Sequence, residues 1–125
     1  MAKSMRRQLG LALGLAAVTA CVHSGPAPLE PVGAFSFETV VQGQAVGGRI
    51  VITEAEGRYK GLIEPNWGPP PAPIIDVTVA DPEITIVASW GGDDLVLYMT
   101  FTGDTFTGEW VMGFDGGDLT GERLP

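Results

Sequence analysis

From Gly33 to the C-terminus, apolar residues recur at every second position, and turn residues cut the pattern at short, nearly regular intervals. A period of two marks a strand with one buried face, and breaks this close together leave no room for crossover helices. Eight strands are expected, over residues 33–41, 45–54, 57–64, 73–80, 82–90, 94–102, 104–113 and 117–124. Between them lie Gly43, Glu56-Gly57, the Pro-rich stretch 65–72, Asp81-Pro82, Gly91-Gly92-Asp93, Gly103-Asp104 and Asp115-Gly116-Gly117. Most of these are of hairpin length, so successive strands are antiparallel neighbours and the predicted architecture is an all-β meander.

One parity in each strand is suited to a core. It comprises Phe35 and Phe37; Ile50 and Ile52; Tyr59, Gly61 and Ile63; Ile75, Val77 and Val79; and Ile84, Ile86, Ala88 and Trp90. It continues through Leu95, Leu97, Met99 and Phe101; Phe106, Gly108, Trp110 and Met112; and Leu119, Gly121 and Arg123. The opposite parity carries Glu38, Arg49, Asp76, Thr78, Thr85, Thr107, Glu109 and Thr120. An open sheet of eight strands would leave two unpaired edges, and closure removes them. The expected fold is therefore an eight-stranded antiparallel up-and-down β-barrel, whose interior side chains either fill or leave room for one small ligand. Gly61, Ala88, Gly108 and Gly121 are small inward positions; the reading adopted is that they let strands bend and pack closely rather than open a pocket.

Gly33-Ala34-Phe35 opens the first strand, and Arg123 ends the last. This arrangement resembles the lipocalin-like, or calycin, barrels, in which a Gly-x-Trp on the first strand is covered by an Arg from the chain end; here Phe stands in place of Trp. The resemblance implies that Gly33, Phe35 and Arg123 close one end of the barrel. The guanidinium would stack on the aromatic face and cap free carbonyls.

The start of the chain has a different character. Lys3, Arg6 and Arg7 precede an apolar run from Leu9 to Ala20 that ends in small residues, the three parts of a secretory signal. A run of about a dozen residues is too short to span roughly 30 Å of hydrocarbon as a helix. Val18-Thr19-Ala20-Cys21 resembles the lipobox of bacterial lipoproteins, which implies cleavage before Cys21 and acylation of its thiol and new amino group. Cys21 is the only cysteine, and an unpaired thiol in an exported chain is accounted for by lipidation. Two or three acyl chains, at about 0.8 kcal/mol per buried CH₂, anchor a protein permanently. The expected organisation is a signal peptide over 1–20, a lipidated Cys and Pro-rich tether over 21–32, and the barrel domain over 33–125. The expected location is the bacterial cell envelope. With Val22 after the Cys, the outer membrane is the default, the domain facing periplasm or cell surface. Short Gly-Asp turns and Gly-x-Tyr or Gly-x-Trp spacing also resemble compact barrels found in such lipoproteins.

Charge and residue inventory exclude several functions. Removal of residues 1–20 with their three cations takes the formal charge from −8 to −11, leaving Arg49, Arg58, Lys60 and Arg123 as the cations. Such a surface repels phosphate backbones, so no nucleic-acid partner is expected. Anionic lipid headgroups are disfavoured on the same ground, which makes a covalent lipid the expected link to the membrane. Nucleophilic catalysis needs Ser, Thr or Cys beside a base. The single His, His23, lies in the tether, Cys21 is assigned to acylation, and Ser36 and Ser89 read as strand residues. No catalytic residues and no cofactor are expected. Asp93-Asp94 and Asp115-Gly116-Gly117-Asp118 match neither an EF-hand nor a nonapeptide repeat, and Asp and Gly occupy turns for backbone reasons, so no metal site is expected either.

The local oddity is Pro65-Asn66-Trp67-Gly68-Pro69-Pro70-Pro71-Ala72-Pro73, a stiff segment carrying a large aromatic. Trp67 is expected to plug the barrel mouth as part of the core, the alternative being a lid that touches ligand or partner. Trp67, Tyr59, Trp90 and Trp110 are the candidate contact residues. The functional expectation is a non-enzymatic envelope barrel that binds a small apolar ligand or a protein partner. The rival is an envelope inhibitor, of the lysozyme or protease inhibitor type, acting through the 65–73 loop.

Overall fold

A computed structural model describes residues 28–125. The signal segment, Cys21, His23 and the tether up to residue 27 lie outside the described residues. The eight strands are β1 (Gly33–Val41), β2 (Gln44–Ala55), β3 (Arg58–Pro65), β4 (Ala72–Ala80), β5 (Glu83–Trp90), β6 (Asp93–Thr102), β7 (Thr105–Met112) and β8 (Asp115–Arg123). Each pairs antiparallel with the next, and β8 returns to β1 through Phe35↔Arg123 to Thr39↔Leu119, closing an up-and-down barrel in chain order. Among the described residues there is no helix.

Six of the seven connections are two residues long. At Gln42-Gly43, Glu56-Gly57 and Gly91-Gly92 both residues have positive φ, the backbone of a type I′ turn whose twist matches that of the flanking strands. The last turn is Gly113-Phe114 rather than Asp115-Gly116-Gly117, which instead runs in β8 against Val111, Met112 and Trp110. The exception is the six-residue stretch 66–71, between strands joined by only three residue pairs, Gly61↔Ile74 to Ile63↔Ala72.

The core is the expected inward parity with one correction. Ile75, expected inside, is 56% exposed, while Ala72 and Ile74 are buried. The cause is a β-bulge: Ile74 pairs with Ala88 but Asp76 pairs with Val87, so Ile75 is one residue too many and the side-chain alternation reverses across it. Downstream the expected parity resumes with Val77, and the outer face carries Asp76 and Thr78.

The small inward residues sit where neighbouring backbone comes too close for a side chain. A Cβ on Gly108 would fall 1.7 Å from the Tyr98 carbonyl oxygen, and one on Gly121 would fall 2.0 Å from that of Ser36 and 2.4 Å from the Phe106 ring. These glycines close the barrel wall rather than hollow it.

Candidate functional site

Because every strand traverses the barrel, its two ends are built from different residues. One end collects the start of β1, the end of β8 and the turns at 56–57, 81–82 and 103–104. The other collects the turns at 42–43, 91–92 and 113–114 and the Pro-rich loop 66–71.

The first end is filled. Phe35 is wholly buried and meets Phe101 and Phe106 at centroid separations of 5.7 and 6.5 Å with interplanar angles of 64° and 81°, the edge-to-face arrangement favoured by ring quadrupoles. The Arg123 guanidinium lies 4.7 Å from the Phe35 centroid. Its Nη1 donates to the Val32 carbonyl at 3.2 Å and its Nη2 donates to the Glu30 carbonyl. A Cβ on Gly33 would stand 2.9 Å from Nη1, so the bare backbone there makes space for the guanidinium. The Leu29 N–H donates to Asp81 Oδ2 at 3.2 Å, and the Leu29 side chain packs on the core. Residues 28–32, the last part of the segment read as a tether, are thus docked across this end.

The second end is hollow. An apolar cavity of about 140 Å³ opens there, lined from β1 to β3 by Phe37, Thr39, Val41, Val46, Ile63 and Pro65. From β5 to β8 it is lined by Trp90, Leu95, Leu97, Trp110, Met112 and Leu119. Its size comes from side chains that run out before the barrel does: Thr39, Val41 and Val46 are short where the opposite end has rings. Trp110 is pressed against the wall, since a Cβ on Gly117, its partner across the β7–β8 pair, would fall 2.7 Å from the indole nitrogen. That nitrogen donates to Thr39 Oγ1 at 3.0 Å, and Thr39 Oγ1 in turn donates to the Asp118 carbonyl. The polar atoms of Trp110 and Thr39 are therefore already engaged with each other and with backbone.

The candidate contact residues separate in space. Trp90 and Trp110 line the cavity. Tyr59, at the start of β3, packs against the core towards the filled end. Trp67 does not plug the mouth: it is 52% exposed and is not part of the lining. The reason lies in the backbone: the Asn66 N–H donates to the Gly47 carbonyl at 2.8 Å and prolongs the β2–β3 pairing, carrying the next residue past the rim. Phe114, at the tip of the β7–β8 turn, is fully exposed at the same end. Sequence reasoning passed over it, and over Thr39, Val41 and Val46 in the lining. The last three were accessible from parity, since they continue the alternation of Phe35, Phe37 and Ile50.

Among the described residues no polar or charged residue is buried, and no group of three or more His, Cys, Asp or Glu side chains converges as a metal-ligand set. The described residues hold two ion pairs, Arg49 with Glu64 at 3.1 Å and Arg123 with Asp104 at 3.9 Å, both at the surface.

No protein-family model matches the chain, and no curated protein sequence matches it. Solved structures do match. A Schistosoma mansoni fatty acid binding protein in complex with arachidonic acid is 12% identical over 75% of this chain and 96% of that chain, with a TM-score of 0.49. The wild-type fluorescent protein UnaG is 13% identical over 75% of this chain and 97% of that chain, with a TM-score of 0.44, and a mutant of UnaG gives 0.46 over 76% and 96%. Likenesses at this level carry no information on what the present chain binds.

Proposed function

We propose that this chain is a lipid-anchored protein of the bacterial cell envelope, acylated at Cys21, whose barrel binds a small apolar ligand in the cavity between Trp90 and Trp110 and catalyses no reaction. The observation that carries the binding reading is the contrast between a filled end and an apolar cavity of about 140 Å³ at the other, in a barrel with no charged residue in its interior among the described residues. Engineered apolar cavities of about 150 Å³ stay dry and take up benzene, so the volume suits a benzene-sized group or the end of an alkyl chain. For a ligand of this size a Kd between about 1 mM and 1 µM is expected, or roughly −4 to −8 kcal/mol.

The anchor reading is supported by Val18-Thr19-Ala20-Cys21, the basic and apolar segments before it and the lone thiol. The described chain enters the barrel at the filled end, through Leu29 and Val32. An anchor upstream would leave the mouth facing away from the bilayer, the outer membrane in this reading, towards periplasm or cell surface. A second reading, in which the protein inhibits an envelope enzyme through the 65–73 loop, is favoured by the exposure of Trp67 and Phe114 at the mouth end.

Two experiments test the proposal. Native mass spectrometry of residues 22–125, which contain the whole barrel, purified from cells without detergent, should show a co-purifying apolar mass that is lost on organic extraction. A bare mass that also fails to take up added benzene derivatives contradicts the binding reading. Cys21→Ser should abolish incorporation of labelled fatty acid and release the protein from membranes, and unchanged membrane attachment contradicts the anchor.

A further inference from the structure

Resting on the ligand-binding reading above, we infer that the cavity discriminates by charge: it accepts uncharged or cationic apolar molecules and rejects carboxylates such as free fatty acids. Two features of the molecule lead there, one inside the cavity and one at its rim.

Inside, there is no cation to receive an anion. The lining holds no Arg, Lys or His. Of its three side chains with a donor, two are committed, the Trp110 indole N–H to Thr39 Oγ1 and the Thr39 hydroxyl to the Asp118 carbonyl, which leaves the neutral indole N–H of the partly buried Trp90. A carboxylate drawn inside would lose its water and gain no cation and at most one neutral donor, far less than burying a charge requires. The charged end of any amphiphile must therefore stay at the mouth, with the alkyl or aryl end in the cavity.

At the rim, that end-group meets acids. Asp93 is the strand partner of Trp90, and Asp115 is the strand partner of Met112, so two exposed carboxylates rise from the backbone pairs that carry lining residues. Asp94 follows directly, also exposed. The turn 42–43 and the loop 66–71 at this end carry no charge. The nearest cation in the chain's layout is Arg49, which is paired to Glu64 at 3.1 Å, while Arg58, Lys60 and Arg123 belong to the filled end. The cations are thus segregated along the barrel: acids stand without free cations where the cavity opens, while every remaining described cation is at the opposite end, among acids such as Glu56, Asp81, Asp104 and Glu122. Close to a low-dielectric opening such a field repels an anionic headgroup and attracts a cationic one.

The test compares three probes that share one alkyl tail: octanol, octyltrimethylammonium and octanoate at pH 7. Binding to residues 22–125 is read from Trp90 and Trp110 fluorescence in a Trp67→Phe background, with calorimetry as a second readout. Octanol should bind, octyltrimethylammonium should match or exceed it, and octanoate should be at least tenfold weaker than octanol. The double change Asp93→Asn with Asp115→Asn should narrow the gap between cation and anion several-fold, and 0.5 M salt should narrow it similarly. Octanoate binding within threefold of octanol overturns the inference and leaves the ligand-binding reading standing. A cation as weak as the anion overturns the role of the rim acids. Failure of all three probes to bind overturns the ligand-binding reading itself.

Discussion

The two ends of this barrel are made from the same strands with the same alternation, yet one is packed and the other hollow. At the filled end Phe35 meets Phe101 and Phe106 edge to face, an arginine covers Phe35, and residues 28–32 lie across the top. At the open end the inward positions of β1 and β2 fall to Thr39, Val41 and Val46, and the indoles of Trp90 and Trp110 border space instead of filling it. Packing is thus concentrated at one end, and the proposed ligand site is at the other. Phe35, its two ring partners and Arg123 pack the filled end, and the cavity lies at the end these contacts leave out.

The sharpest way to break that comparison is to truncate at the filled end. Phe35→Ala removes a wholly buried ring from the centre of the aromatic cluster and should cost about 3–5 kcal/mol in denaturant unfolding. A loss below about 1 kcal/mol would mean that this end does not hold the barrel together. Adding atoms gives the complementary comparison. Ile84→Phe, at a fully buried site away from the cavity, should overpack and cost about 1–3 kcal/mol. Leu95→Phe grows into the cavity, so it should stay within about 1 kcal/mol of the parent while weakening binding of an apolar probe several-fold; equal penalties at both sites would deny the contrast. A smaller effect is expected from Arg123→Lys. An ammonium keeps the charge but not the planar group that lies on Phe35 while reaching two carbonyls, so about 1–2 kcal/mol should be lost. The smallest is Trp67→Ala, expected to stay within about 0.5 kcal/mol because the side chain is half exposed and outside the lining.

Much of the architecture was legible in the sequence because a strand period of two and two-residue turns are local signals. Parity named Phe35, Ile50, Ile52, Ile84, Ile86 and Met99, all essentially buried. It failed at Ile75, where adjacent Ile74 and Ile75 are equally apolar and nothing in residue type marks the extra residue of a bulge. It failed again at Trp67, whose size argued for burial; the backbone hydrogen bond from Asn66 to Gly47 decides otherwise, and that pairing is long-range. The cavity was the least legible feature. Alternation tells which side chains point inward but not whether their volumes meet. The small inward residues Gly61, Gly108 and Gly121, read as points of close packing, do lie where backbone closes in and so say nothing of the cavity. The hollow instead follows from modest side chains, Thr39, Val41 and Val46, which the β1–β2 hairpin gathers at one end and which become the wall of a cavity only once β8 closes onto β1.

The proposal that the hollow end alone receives an apolar ligand is tested most directly by titrating benzene into isotope-labelled protein and following side-chain resonances. Saturable shifts are expected of the Trp90 and Trp110 indole N–H groups and of the Leu95 and Leu97 methyls, with Ile84, Met99 and the Phe35 cluster unmoved. Shifts centred on the Phe35 end, or none at saturating benzene, would contradict it.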